Sequence, residues 1–409
     1  MSEKARAPLL SAALASALRP VEAAARAEGV RIALVGGVVR DRLRGAPAGH
    51  DVDVAVEGDA ARLAKRVARE VGGRARVRIH GKFGTATVEG GSGWRLDLAR
   101  ARSETYRRPG ALPDVRPATL EEDLARRDFA INAIAWEPAD VGSRRGRLID
   151  PFGGARDVEK RLLRVLHPQS FEDDPTRILR AVRYANRLGF RLERGTRRLL
   201  ASALASKALA TVSGNRVRRE LELWFSEPGW AGALRTAAAL GVPAALEPGW
   251  RPGRRTFEAL VRAEALARRV PGADSRRASM ATAGLLVAAA DLPRESRARL
   301  GRTLGLSGRP LAAFERGPAW GARASREEKI AAAAVSAPGE ERRAAERRLL
   351  AAPVRLSIRG TDLIGAGVPA GPAVGRALDA ARRAREDGRI EPGEELSYAL
   401  AVAREETPE

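Results

Sequence analysis

Leucines at positions 10, 14 and 18 recur at helical spacing, so the chain is predicted to open with an amphipathic helix. The same segment has a basic end and an Ala-rich stretch, but Ser11 and Ser16 interrupt it, which argues against a secretory leader. The pattern then changes. RIALVGG (31–37) predicts a buried strand ending in glycines, VVRDRLRG (38–45) the start of a helix, and HDVDVAV (50–56) an alternating strand. Ala60 to Val71 has helical spacing, RVRIH and GTATVEG read as strands separated by a Gly turn, and WRLDLARA as a further strand. Residues 103–121 hold three prolines and no apolar periodicity, and are predicted to be a mobile loop. From Val158 onward Ala, Leu and Arg dominate at helical spacing, with Pro or Gly interruptions near 227–229, 247–253 and 365–372. The Arg/Ala-rich stretch 322–352 is read as a solvated helical face. These patterns give an α+β fold: a small mixed sheet with helices in the first 155 residues and an almost all-helical remainder.

Composition narrows the partners. Of 409 residues, 44% are hydrophobic and 30% charged, enough apolar side chain for real cores. The formal charge is +22, carried by 67 arginines and only six lysines. Arg suits bidentate phosphate contact, so a polyanion is the expected partner, although a compositional habit toward Arg and Ala accounts for part of the count. The chain has no Cys, and its three His are scattered, so disulfides, thiolate sites and a His-based zinc site are excluded and any catalytic metal is held by oxygen. No apolar run approaches the ~18 residues of a membrane span, which makes a cytoplasmic protein with no membrane association the expectation.

Asp51 and Asp53 are the most informative pair. Strand alternation turns both carboxylates to one side while Val52, Val54 and Val56 turn to the core. Two neighbouring carboxylates stay ionised together only with a cation between them, and magnesium, an oxygen-seeking ion that bridges carboxylates to phosphates, is the natural one. Alone, Asp-x-Asp on an exposed strand is decorative more often than not. Fourteen residues earlier, Gly36 and Gly37 follow a strand and precede Arg40 at a helix start, a setting in which the backbone can approach a phosphate and Arg40 adds charge. Asp97, on another alternating strand, either completes a three-carboxylate cluster or is a surface residue.

Taken in order and spacing, LVGGVVRDRLRG, HDVDVAV, EEDLARRDFAINAIAW (121–136), LIDPFGGARDVEKRLLRVL (148–166) and FEDDPTRILRAVRYANRLGF (171–190) resemble the class II tRNA nucleotidyltransferase and bacterial poly(A) polymerase family. The similarity is dense over 35–220 and returns at DLIGAGVPAGPAVGRAL (362–378). It implies a polymerase-β-like nucleotidyltransferase head over 1–155, a helical neck with a base-reading helix over 156–245, and a helical, tRNA-binding body and tail over 246–409. It also implies untemplated addition of C and A from CTP and ATP to a tRNA 3′ end. By similarity Asp51 and Asp53 bind two catalytic Mg2+ ions, with Asp97 as a third acidic candidate. Gly36, Gly37 and Arg40 contact the triphosphate, and Arg127 and Asp128 grip the nucleotide and its ribose. Asp174, Arg177, Arg180 and Arg183 match the base-reading helix, and in the family the 103–121 loop helps the switch from C to A.

The base-reading assignment agrees with bonding patterns. Cytosine and adenine both present an amino donor beside a ring-nitrogen acceptor, and a carboxylate next to a guanidinium complements that order and not the reverse. Asp174 and Arg177, three apart, would share one helix face. At ~100° per residue Arg177, Arg180 and Arg183 form one arc facing the site, and Ile178, Leu179, Val182 and Ala185 another that packs. Three departures stand out: Asp173 where Glu is common, Ala130 where Thr usually follows RRDF, and Asn215 where Glu is common. They leave open whether the product is CCA, CC alone, A alone or a poly(A) tail. A catalytically inert RNA-binding protein on the same scaffold is the competing class, and the retained Asp51, Asp53, Arg127, Asp174 and Arg177 argue against it.

Overall fold

The computed structural model describes residues 10–46, 51–71, 75–80, 84–90, 95–270, 276–320, 324–350, 356–386 and 389–405. The chain divides into two compact units: Met1–Leu221 with Gly232–Arg251 and Arg302–Leu306, and Glu222–Ala231 with Pro252–Gly301 and Ser307–Glu409.

In the first unit α1 (Ala12–Glu28) is capped by the Ser11 hydroxyl and stopped by left-handed Gly29. There follow β1 (Ile32–Val35), α2 (Gly37–Leu43), β2 (Asp51–Val56), α3 (Ala60–Val71), β3 (Ala75–His80), β4 (Thr85–Gly90) and β5 (Arg95–Arg100). Next come β6 (Arg102–Thr105), β7 (Asp114–Pro117), α4 (Leu120–Ala125), β8 (Ala135–Pro138), β9 (Gly146–Ile149) and α5 (Gly154–Glu159). The helical continuation holds β10 (Leu162–Leu163), α6 (Ser170–Asp173), α7 (Thr176–Leu188), β11 (Arg191–Leu192), α8 (Arg194–Ala205) and α9 (Gly214–Ser226). The predicted strands and helices of 31–101 are all present; the Gly turn expected between β3 and β4 falls on 81–83, outside the described residues.

Seven strands form one sheet in the order β3-β4-β5-β2-β1-β8-β9, antiparallel throughout except for the β2–β5 pair. That parallel pair sets Asp53 directly opposite Asp97. Val52, Val54 and Val56 are buried on one face, where α3 packs on β3, β4 and β5. On the other face Ala33, Val35, Ala55 and Ala135 pack with Leu120 and Leu124 of α4. The aspartates of β2 thus belong to a face that is covered over Ala55 and uncovered at Asp53, which is exposed.

Two expectations fail here. Within 103–121 the chain forms an antiparallel hairpin, β6 with β7, in register Arg102↔Pro117 to Thr105↔Asp114. All four residues of β7 are exposed, so neither strand offers the apolar alternation by which a strand is read, and the pairing comes from the backbone. In the second unit, α16 (Arg326–Val335) lies inside the 322–352 stretch, yet Ala331, Ala332, Ala333 and Ala334 are buried, not solvated. Alanine's small side chain lets α16 approach α12 (Arg254–Arg269) and α13 (Arg276–Ala288) closely. The remaining helices are α10 (Trp230–Ala239), α11 (Val242–Leu246), α14 (Arg294–Thr303), α15 (Gly308–Arg316), α17 (Glu340–Leu350), α18 (Gly360–Gly365), α19 (Pro372–Glu386) and α20 (Glu395–Glu405). The last three enclose their own core around Leu363, Val374, Ala377, Ala381 and Ala399. The breaks between helices fall at 227–229, 247–253 and 366–371, where the Pro and Gly residues lie. Among the described residues no helix is long and apolar enough to cross a membrane.

Candidate nucleotide-binding and active site

The first unit holds a cavity of about 730 Å³, a size suited to one small ligand. Its wall gathers nine of the twelve candidate residues: Gly36, Gly37, Arg40, Asp53, Arg127, Asp128, Asp174, Arg177 and Arg180. Asp97 and Arg183 do not line it. Asp51 opens β2, and its side chain lies outside the described residues.

The β1–α2 turn is shaped by glycine for a stated reason. Gly36 has φ 70°, a conformation costly for residues with a Cβ, and a Cβ there would lie 3.1 Å from Arg127 Nη1. Arg40 in α2 is almost wholly buried; its Nε and Nη2 each donate to an Asp41 carboxylate oxygen at 2.9 Å and its Nη1 to Asn132 Oδ1 at 2.7 Å. A bidentate ion pair and an amide therefore fix this guanidinium in the cavity wall.

Asp128 is held through both of its oxygens. Its Oδ1 accepts from the Phe129 N–H and Asn132 Nδ2, and its Oδ2 from Nε and Nη2 of Arg180 at 2.8 and 2.6 Å. Burial pushes the carboxyl up, but the Arg180 charge, the Asn132 and Arg180 hydrogen bonds and the Arg177 charge outweigh it and hold it below the usual carboxylate range. Arg180 in turn is held above the ordinary guanidinium value: burial opposes its charge, and Asp128 more than restores it. Arg127 pairs with buried Asp123 at 2.7 Å.

At the segment expected to read the base the structure corrects the geometry. Asp174 does not lie on a helix with Arg177: it is extended (φ −132°, ψ 90°), and α7 begins after Pro175 because a residue preceding proline is kept out of the helical region. Its Oδ1 still caps that first turn, accepting from Thr176 N–H (3.0 Å) and Thr176 Oγ1 (2.6 Å), and a third donor, Arg216 Nη2, arrives at 2.9 Å. Arg177 is buried, with Nη1 donating to Ser170 Oγ at 2.7 Å and Nη2 to the Arg126 carbonyl at 2.8 Å. Nor does the full Arg arc face the cavity. Arg183 is buried beside Glu220, 3.3 Å from Oε2, because α7 is enclosed on nearly every side.

Asp97 stands opposite Asp53 across the ladder, but its Oδ1 accepts from Thr87 Oγ1 at 2.6 Å and Arg95 stands 3.3 Å from Oδ2. Among the described residues no group of three or more His or acidic side chains is gathered as a metal site; the expected cluster of Asp51, Asp53 and Asp97 needs the Asp51 side chain, which lies outside those residues. Of the family departures, Ala130 is fully buried with its carbonyl against Gly154, Asp173 stands 4.0 Å from His167 Nδ1, and Asn215 lies in the first turn of α9.

Several wall residues escape the sequence reading. Glu104 accepts from Arg102, Arg126 and the Tyr106 hydroxyl, and burial together with the Glu104 charge pushes the Tyr106 phenol up to about 12, so it stays a donor at neutral pH. Both residues sit in the stretch read as a loop. Asn132 and Tyr184 lie inside the quoted motifs, and for Asn132 its polarity between Ile131 and Ala133 is the available signal. In all, seven arginines and five carboxylates line the cavity, a wall with excess positive charge for an anionic ligand.

A cationic cavity lined by an aspartate-bearing strand and a Gly-Gly turn defines a nucleotide-binding head of the phosphoryl-transfer kind. Residues 32–164 match the poly(A) polymerase head domain. Over 370 residues the chain is 34% identical to the CC-adding tRNA nucleotidyltransferase of Deinococcus radiodurans, covering 90% of this chain and 88% of that one. The chain belongs to the tRNA nucleotidyltransferase family. It is 48% identical over 198 residues to the A-adding tRNA nucleotidyltransferase of Halalkalibacterium halodurans, a match spanning 47% of this chain and 45% of that protein. Matches to two further A-adding relatives span 23% and 24% of their length, so the chain covers less than half of these relatives. The structure of the Thermotoga maritima CCA-adding enzyme complexed with tRNA superposes with a TM-score of 0.64 at 28% identity, over 96% of each chain.

Proposed function

We propose that this chain extends the 3′ end of tRNA without a nucleic-acid template, taking CTP and ATP and releasing pyrophosphate, with CCA as the finished end. The observation that carries the reading is the meeting of Asp53, Arg127, Asp128, Asp174 and Arg177 on one cavity wall. Residues remote in sequence converge there with the donor and acceptor types that a nucleoside triphosphate requires.

Each group has a task in this reading. Asp174 presents an acceptor to the base amino group, since its Oδ1 is taken by Thr176 and Arg216 and no hydrogen bond to Oδ2 occurs among the described residues. Arg177 supplies the neighbouring donor. Together they accept C and A and leave U and G with donor facing donor and acceptor facing acceptor. Arg127 and Arg180 neutralise phosphate charge, and Asp128 keeps Arg180 in register. The oxygen donors at Asp53, and Asp51 two residues before it on the strand, suit a hard divalent ion, and we assign Mg2+ to them; when bound it activates the ribose 3′-hydroxyl and neutralises the leaving pyrophosphate. Asp97, tied to Thr87 and Arg95, is assigned a supporting part beside Asp53. Arg183 is assigned to orienting α7 through Glu220. The head over 1–155 would carry transfer, the neck over 156–245 base choice, and 246–409 the grip on tRNA, in the cytoplasm.

A second reading has its own observation. The 48% identity over 198 residues to an A-adding enzyme favours a chain that adds A alone to tRNA already ending in CC. The test incubates the protein with tRNAs ending before, within and after CC, supplies CTP and ATP in turn, and sequences the products. CCA on all three supports the first reading, A only on the CC-ended tRNA supports the second, and no incorporation on any of them refutes both. Arg177→Ala should relax nucleotide choice; incorporation still confined to C and A would refute its assignment.

A further inference from the structure

Tyr184, in the middle of α7, is buried and has no part in the scheme above. Its ring is the meeting point of four arginines: the guanidinium carbons of Arg40, Arg180, Arg183 and Arg187 lie 5.7, 5.5, 4.8 and 5.7 Å from its centroid. Its hydroxyl accepts from Arg180 Nη2 at 3.2 Å, and Phe129 meets the ring edge-on at 5.8 Å. Three of the four arginines, Arg40, Arg180 and Arg187, line the cavity, and they come from both α2 and α7.

Four like charges around one point repel, and the carboxylates nearby do not share that point. Asp41 holds Arg40, Asp128 and Glu220 hold Arg180, and Glu220 holds Arg183. What stands between the cations themselves is the electron-rich face of a phenol, to which each guanidinium is attracted at these distances. A leucine there would be apolar and would supply no such attraction.

We infer that Tyr184 is a positioning residue whose ring holds Arg40, Arg180 and Arg187 in the places where they meet the triphosphate. It acts through the arginines and touches no reacting atom. This rests on the cavity being the nucleotide site proposed above.

The test replaces Tyr184 in the full-length chain with Phe, with Phe bearing one, two and three ring fluorines, and with Leu. Fluorine drains the negative face of the ring with little change in shape, so a packing role would not respond to it. Dissociation constants for ATP and CTP are measured by calorimetry, and kcat and KM by incorporation. Expected are a small rise for Phe, from the lost bond to Arg180, a stepwise rise with each fluorine, and about a tenfold rise for Leu and the trifluoro variant, with KM moving more than kcat. Equal constants across the fluorinated series, or wild-type binding by the Leu variant, would overturn the inference. A stepwise binding series in a chain that incorporates nothing upholds the inference and refutes the transferase reading, whereas normal incorporation with a flat series does the reverse.

Discussion

Asp53 and Glu22 show opposite ways of placing a carboxylate. Asp53 is exposed on the cavity wall, at a strand position whose neighbours Val52 and Val54 are buried, so its removal disturbs no core. Asp53→Ala should abolish nucleotide incorporation while leaving the tRNA dissociation constant within about twofold, read by primer extension and fluorescence anisotropy; residual incorporation above about 1% of wild type would remove it from the reaction. Glu22, on α1, is buried, with Oε2 accepting from the Gly142 N–H and Oε1 without a partner among the described residues. Burial raises its pKa; the Gly142 bond and the charges of Arg19 and Arg26 lower it by less. A carboxyl whose folded value lies above its unfolded value makes ionisation a cost to the fold, present at neutral pH and gone once pH falls below both values. Glu22→Gln keeps an acceptor for Gly142 and carries no charge. It should stabilise the protein by about 1 kcal/mol at pH 7 and by nothing near pH 4, measured as urea midpoints at the two values. A gain that is the same at both would show that charge is not the cause.

At the scale of elements, the hairpin of β6 and β7 is tied to the segment that leads into α7 through one glycine. The Gly110 N–H donates to the carbonyls of Glu172 and Asp173, and its own carbonyl accepts from Arg216 Nη1, whose Nη2 holds Asp174. Gly110 has φ 71°, and a Cβ there would collide with Thr211 Oγ1 and the Thr211 carbonyl. Gly110→Ala should therefore lift the hairpin tip, cost roughly 1–3 kcal/mol of stability and blunt the discrimination of C and A from U and G, because Arg216 loses one of its anchors. Urea melts and single-nucleotide incorporation would measure it; unchanged discrimination would uncouple the hairpin from base choice. The sequence hid this element for a physical reason. Strands and helices with one buried face, such as β2 and α3, write their period into the chain, whereas β7 is exposed at every position and leaves no mark. The buried alanines of α16 were missed because alanine is equally at home on a wet face and against another helix. Helical spacing alone puts Asp174 on a helix, although Pro175 carries the contrary signal, and Glu104 joins the wall through its pairing with Arg126, 22 residues on. What was legible were the short ordered motifs, most plainly β2, where Asp53 stands between the buried Val52 and Val54.

Over the whole molecule a formal charge of +22 distinguishes two kinds of recognition. Base choice in the proposed site depends on hydrogen bonds among buried or half-buried groups, such as Arg177 and Asp174, where salt has little access. The grip on tRNA, if it runs through arginine–phosphate contacts, releases counterions, and its logarithm should fall linearly with the logarithm of salt concentration. With some six to ten phosphates engaged, affinity should drop by about 10³ to 10⁵ between 50 and 200 mM salt. The ratio of C to U incorporation at saturating tRNA should meanwhile stay within about twofold. Anisotropy titrations at four salt concentrations give the slope, and competition incorporation at the same concentrations gives the ratio. A shallow slope would mean that the excess arginines are not phosphate contacts. A ratio that tracks the slope would mean that the nucleotide is chosen by charge in open solvent, which the enclosed positions of Arg177 and Asp128 do not allow.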